Sequence, residues 1–160
     1  MQMQFDLINY TMTHAIDLAQ QAANLGEVPV GAVITDKAGR VIAKAHNTKE
    51  RELNACNHAE ILAIKEASEY MRSWRLVDCD LYVTLEPCPM CMGALSQARI
   101  RNVYFGAYDT KGGAISLGKK LHNDERLNHK INVYGGFKHL ECSKLISDFF
   151  KRKRKNYVEI

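Results

Sequence analysis

LYVTLEPCPMCMGA, Leu81 to Ala94, changes character half-way along. LYVTL (81–85) is rich in β-branched and aromatic side chains and reads as a strand. The prolines on either side of Cys88 cannot extend a ladder, but proline is at home in the first turn of a helix, so a helix is expected from there. A strand that feeds directly into a helix is the unit of a layered α/β architecture. Downstream, VYF (103–105) and INVY (131–134) read as two further strands.

Upstream the same logic holds. Ile8, Met12, Ala15, Ile16, Ala19, Ala22 and Ala23 recur at helical spacing, and Gly26 marks the end of that helix. VPVGAVI (28–34) is apolar without alternation, as in a strand covered on both faces. DKAGR (36–40) is turn-like and VIAKA (41–45) reads as the returning strand of a hairpin. A helix begins near His58 with AEILAIKEA. At the far end, Cys142, Leu145, Ile146, Phe149 and Phe150 make the apolar stripe of a packed helix. A hairpin followed by strands alternating with helices predicts a three-layer α/β/α fold with a mixed five-stranded sheet. With no internal repeat and no Pro/Ser-rich linker, residues 1–160 are expected to form a single domain.

Composition closes off several classes. The chain is 46% apolar and 25% charged, as ordinary globular proteins are. No apolar run approaches the roughly 18 residues of a membrane span. MQMQFDLINY lacks the basic start and apolar stretch of a secretory signal, so a cytoplasmic location is the default expectation. Five cysteines, an odd number, argue for reduced thiols and against a disulfide framework. The net charge of +4 is only mildly basic.

Two segments carry the chemistry: NHAEI (57–61) and EPCPMCMG (86–93). Cys88 and Cys91, three apart after Pro87, share a face of a helix's first turn. The electropositive helix start favours the thiolates that a soft divalent metal binds. A Cys-x-x-Cys could also be a redox dithiol or half of a structural four-ligand site. A redox dithiol needs no upstream His-x-Glu, and no second Cys-x-x-Cys exists to close a structural site. His58, Cys88 and Cys91 make three ligands and leave the fourth tetrahedral position to water, the arrangement of catalytic zinc. Glu60, two residues from His58, is placed to take a proton from the activated water and deliver it to a leaving amine.

His58-Ala59-Glu60 with Pro87-Cys88-Pro89-Met90-Cys91 resembles the zinc-dependent cytidine and deoxycytidylate deaminase superfamily, whose mechanism is carried over here with the motif. EVPVGAV (27–33), Asn47, LYVTLEPCPMCMGA (81–94), FGAYDTKGGA (105–114), LNHKINV (127–133) and LISDFFKRKRK (145–155) are similar, in the same order, to the bacterial tRNA-specific adenosine deaminases of that superfamily. The resemblance implies one Zn2+ per subunit, a homodimer, an anticodon stem-loop of tRNA as partner, and deamination of adenosine to inosine at the wobble position. It implies that Asn47 hydrogen-bonds the flipped-out base, that the Ala59 amide touches that base, and that Asp109 and Lys111 hold flanking nucleotides. Read without it, Asn47 is a turn residue and Asp109 and Lys111 are a solvated turn.

The run Lys151, Arg152, Lys153, Arg154, Lys155 covers every face of a helix and cannot enter a core. It reads either as a solvated helix end favoured by the macrodipole or, with the resemblance, as a contact to RNA phosphates. The chain departs from the family at Cys56-Asn57, where a small pair is usual, and at Tyr108, where arginine is familiar. Cys56 is expected to be a packing residue, and Cys79 and Cys142 buried small apolar ones. His14, His46, His122, His129 and His139 show no paired metal spacing; His122 and Asn128 are candidates for an RNA groove. Two rivals remain: a free-base deaminase for guanine or cytosine with the same zinc chemistry, and an RNA-binding module with structural zinc and no catalysis.

Overall fold

The protein, seen in a computed structural model that describes residues 1–158, is built on five strands in the order β2-β1-β3-β4-β5. The elements are α1 (Gln2–Asn24), β1 (Gly31–Thr35), β2 (Val41–His46), α2 (Ala59–Met71), β3 (Asp80–Leu85), α3 (Pro89–Gln97), β4 (Asn102–Ala107), β5 (Asn132–Gly135) and α4 (His139–Val158). β1 runs antiparallel to β2 and β3, whereas β3, β4 and β5 are parallel. This is the mixed five-stranded α/β fold expected. The last two positions of the single domain expected over 1–160 lie outside the described residues. No helix among the described residues is long and apolar enough to cross a membrane.

Alternation along the strands divides the core in two. Ala32 and Ile34 of β1, Leu81 and Val83 of β3, and Val103 and Phe105 of β4 pack with Ala59, Ala63 and Ala67 of α2 and Met92 and Leu95 of α3. Val33, Tyr82 and Tyr104 point the other way, onto Ile8, Met12 and Ala15 of α1 and Cys142 of α4. Both faces are therefore buried, and the central strands read as unbroken apolar runs for that reason. Gly31 lets α1 lie close against β1, since a Cβ there would collide with the Ala15 carbonyl.

Two sequence expectations shift. The strand expected from Val28 starts at Gly31. Pro29 has no amide to give, and Val28 and Val30 line a cavity. In the α4 stripe, Cys142 and Phe149 are buried but Phe150 is 41% exposed.

The topology gathers one end of the sheet. The exits of β2, β3 and β4 lie there with the entrance to β1, because β1 opposes its neighbours. Gly31 N–H donates to Thr84 Oγ1 (3.2 Å) and Asn47 N–H to the Val30 carbonyl (3.2 Å), tying the ends together. α1 also finishes there. Gly26, at φ +78°, closes it with Gly26 N–H to Ala23 O (3.1 Å) and Glu27 N–H to Ala22 O (2.9 Å), the Schellman pattern. Ligands of open α/β sheets bind at the carboxyl ends of parallel strands, and here the cavity lies beyond β3.

Candidate active site

α2 and α3 both start at this end. Their N-cap positions are held by His58 and Cys88, and neither side chain makes a capping bond. Ser, Thr, Asp or Asn would satisfy a helix start better. These two positions are thus given to another task. Cys91 is the third residue of α3, one turn along from Cys88.

The three donor atoms come within 4.8 Å of one another. His58 Nδ1 is 3.7 Å from Cys88 Sγ and 3.5 Å from Cys91 Sγ. Ligands at tetrahedral corners, about 2.1 Å and 2.3 Å from a zinc ion, stand roughly 3.6 Å apart. The spacing and the N,S,S donor set therefore fit one zinc ion bound through Nδ1. No other group of His, Cys, Asp and Glu among the described residues is spaced for a metal.

The protons in this cluster are unevenly held. Hydrogen bonding from Cys91 and then from His58 pulls the Cys88 thiol down to about 4. Its thiolate, with burial and the nearby Glu60, pushes Cys91 well up. The hydrogen bond to Cys88 raises His58. One thiolate thus forms readily; the second needs a cation, so metal binding releases protons. Glu60, on the first turn of α2 and only 4% exposed, lies beside the Cys91 thiol. Burial lifts its carboxyl to about 7, a range in which it can both accept and return a proton near neutrality.

A cavity of about 140 Å³ opens beside the donors, lined by His58, Glu60, Cys88 and Asn47, with Val28, Val30 and Leu85 as apolar walls. Asn47 is buried, and its Oδ1 accepts the Ala59 N–H at 2.8 Å. That bond spends the Ala59 amide on Asn47, where the resemblance had it touching the base. It also fixes the side-chain amide so that Nδ2, with no partner among the described residues, is left to donate.

Of the other residues singled out from sequence, Asp109 and Lys153 line the cavity, while Lys111, Lys151, Arg152 and Arg154 do not. Arg152 and Lys153 border a neighbouring cleft with Ala23 and Asn24 at the end of α1. Tyr108 is exposed, with its ring edge-on to Phe105 at 4.9 Å. His122 and Asn128 stand away from the cavity lining. Cys56 is exposed, which corrects its reading as a packing residue; Cys79 and Cys142 are buried. The buried member of the Cys56-Asn57 pair is Asn57. Its Nδ2 donates to Glu52 Oε2 (2.6 Å) and Thr48 Oγ1 (3.3 Å), closing the loop between Asn47 and His58.

Two carboxylates to which the sequence reading assigned no role hold the cavity walls. Glu27 accepts the amides of Arg51 (2.7 Å) and Glu50 (3.1 Å). Glu86 accepts the amides of Asp109 (3.0 Å) and Ser116 (3.0 Å) and the Ser116 hydroxyl (2.8 Å). Each is only 2% exposed. Gly113 passes so close that a Cβ would overlap the Glu86 carboxylate. The available signal was an acid set in an apolar context, Glu27 before Val28-Pro29-Val30 and Glu86 after β3, since buried charge is always partnered.

The model of the cytidine and deoxycytidylate deaminase zinc-binding region matches residues 6–107. The chain belongs to that deaminase family. It is 46% identical to the tRNA-specific adenosine deaminase of Bacillus subtilis (strain 168), over 90% of this chain and 89% of that one. A solved structure from a study of A-to-I editing by tRNA:A34 deaminases superposes with a TM-score of 0.76 at 40% identity, covering 84% of this chain and 96% of the other. A guanine deaminase of Bacillus subtilis is more distant, with a TM-score of 0.61 and 29% identity over 86% of this chain and 91% of that one.

Proposed function

We propose that the protein is a zinc-dependent tRNA adenosine deaminase, converting adenosine to inosine at the wobble position of an anticodon. The observation that carries this reading is that one small cavity joins the tetrahedrally spaced donors to Glu60 and to a free amide of Asn47. Bound zinc would supply Lewis-acid activation of the attacking water. Glu60 takes the proton of that water and delivers it to the departing amine, so that ammonia leaves. Asn47 Nδ2 donates to a ring nitrogen of the base, for which N7 of adenine is a suitable acceptor. The apolar walls exclude bulk water. A base in an anticodon loop is already partly unstacked, so turning it into the cavity costs less than in a duplex.

The finer parts of the reading rest on the relatives. The tRNA stem-loop as bound partner and the homodimer follow from the resemblance, whereas residues 1–160 acting as one domain and a cytoplasmic location follow from the absence of linkers and of a signal-like segment in the sequence.

The test is inosine formation on an anticodon stem-loop, read by sequencing, beside turnover of free guanine, cytosine and adenosine. Editing of the stem-loop with inert free bases is expected; the reverse would establish the free-base deaminase instead. Glu60→Ala should keep zinc and lose deamination. Unchanged deamination in that variant would refute the proton shuttle, whereas stem-loop binding by the wild-type protein with no deamination of any substrate would establish the RNA-binding module with structural zinc.

A further inference from the structure

Two short segments meet at the start of α2: Asn47 and Thr48, where the chain leaves β2, and Asn57 to Ala59, around the metal donor His58. Three hydrogen bonds lace them together. Thr48 N–H donates to the Asn57 carbonyl (3.2 Å), Asn57 Nδ2 to Thr48 Oγ1 (3.3 Å), and Ala59 N–H to Asn47 Oδ1 (2.8 Å). The last of these decides which end of the Asn47 amide is left for a base, since an N–H needs an acceptor. It does not by itself decide where that amide stands. β2 is an edge strand, and Asn47 is tied to the sheet only by its N–H to the Val30 carbonyl (3.2 Å).

Asn57 supplies the missing restraint. It is buried, and both hydrogens of its Nδ2 are spent, one on Thr48 Oγ1 and one on Glu52 Oε2 at 2.6 Å, a short charge-assisted bond. Glu52 N–H in turn donates to the Thr48 carbonyl (3.0 Å). Thr48, Glu52 and Asn57 thus form a closed ring in which each is bonded to the other two. An alanine at position 57 could make neither side-chain bond, and Thr48 would lose its hydroxyl anchor. A displacement of about 1 Å passed on to the adjacent Asn47 is enough to spoil a contact on which a reaction depends.

We propose that Asn57 is a positioning residue for the base: by holding Thr48 it sets where the Asn47 amide meets the ring nitrogen, and so governs how strongly the reaction depends on that contact. The inference rests on the reading of Asn47 as donor to N7 of the target adenine. Asn57 does not line the cavity and acts through Thr48.

The experiment uses the zinc-loaded protein and an anticodon stem-loop carrying adenosine or 7-deazaadenosine at the target position. The ratio of kcat/KM on the two substrates is the N7 penalty. Exchanging N7 for carbon also alters the ring's own reactivity, and comparing the penalty between variants cancels that effect. In Asn47→Ala the penalty should be about tenfold smaller than in wild type, the upper end of what a neutral hydrogen bond contributes. Asn57→Ala should show most of the same reduction, with zinc content unaltered and activity on the 7-deaza substrate close to that of wild type. A loop that was merely weakened would lower both substrates alike and leave the penalty intact. Asn57→Asp sets a carboxylate against Glu52, and adding Glu52→Gln restores a donor–acceptor pair of reversed polarity and unchanged total charge. The double variant should recover most of the wild-type penalty, and the single one should not. A penalty reduced in Asn47→Ala but not in Asn57→Ala, activity lost in proportion to zinc, or no recovery in the double variant overturns the positioning role alone. A penalty unchanged in both alanine variants overturns the reading of Asn47, and the positioning role with it.

Discussion

The metal cradle and the walls of the cavity are built by different means. In the cradle, His58 and Cys88 stand at the N-caps of α2 and α3, with Cys91 one turn further on. Once two helices begin where they do, the donors meet. The walls are the loops between Asn47 and His58 and between Tyr108 and Ser116, which have no repeating structure to fix them. Their backbone amides are held by carboxylates 23 to 30 positions away in sequence, Glu27 and Glu86. The cradle is thus sensitive to little besides its ligands, whereas the walls can be altered from a distance. Metal binding and substrate placement should be separable by mutation.

The largest effect is expected at the cradle. Cys91→Ala removes a donor and leaves two, too few for a closed grip on the ion. Zinc measured by atomic spectroscopy should fall below stoichiometry and deamination should vanish. Full zinc content in this variant would mean that the donor set is a different one and would undo the contrast with the walls.

An intermediate effect is expected at Glu86. Glu86→Gln keeps the volume but sets an NH2 group against donors that need an acceptor. Leaving a buried polar group unmatched costs about 1–3 kcal/mol, measurable as a lower urea midpoint. The variant should retain zinc and show a raised KM, because the loop carrying Asp109 loses its anchor. Gly113→Ala disturbs the same carboxylate, so the double variant should lose less than the sum of the two. Loss of zinc from Glu86→Gln would show that the wall and the adjoining Pro87-Cys88 cannot be separated.

The same contrast explains what could be read from the sequence. The cradle was legible because Cys88 and Cys91 in one segment, and His58 and Glu60 in another, keep a short spacing at a helix start, and helix geometry converts that spacing into position, although the two segments lie 30 positions apart. Strands β2 to β5 were legible to within a residue or two, and Gly26 marked the end of α1 for a stated reason: its φ of +78° suits glycine. The start of β1 was not legible, since Val28 and Val30 are apolar to line a cavity and not to pair in a sheet. The roles of Glu27, Glu86 and Asn57 were hidden because their partners are backbone groups, which every residue possesses and no motif records. Cys56 misled for a related reason: composition favours buried cysteine, and only the tertiary path of the loop exposes it.

The smallest expected effect lies in the basic end of α4, where the contrast between local and distant control can be sharpened. Lys153 lines the metal cavity, while Lys151, Arg154 and Lys155 border neither that cavity nor the cleft beside it. Replacement by glutamine keeps helix propensity nearly constant, so changes report on charge. For every single-strand phosphate that is no longer neutralised, the slope of log affinity against log salt should fall by about 0.7. Lys153→Gln should lower that slope, measured by fluorescence anisotropy with a labelled stem-loop, and also raise KM. Replacing Lys151, Arg154 and Lys155 together should lower the slope without changing KM at low salt beyond the loss of affinity. If Lys153→Gln leaves both quantities unchanged, the run is a solvated helix end that complements the macrodipole, and the charge that matters to substrate placement is confined to the walls.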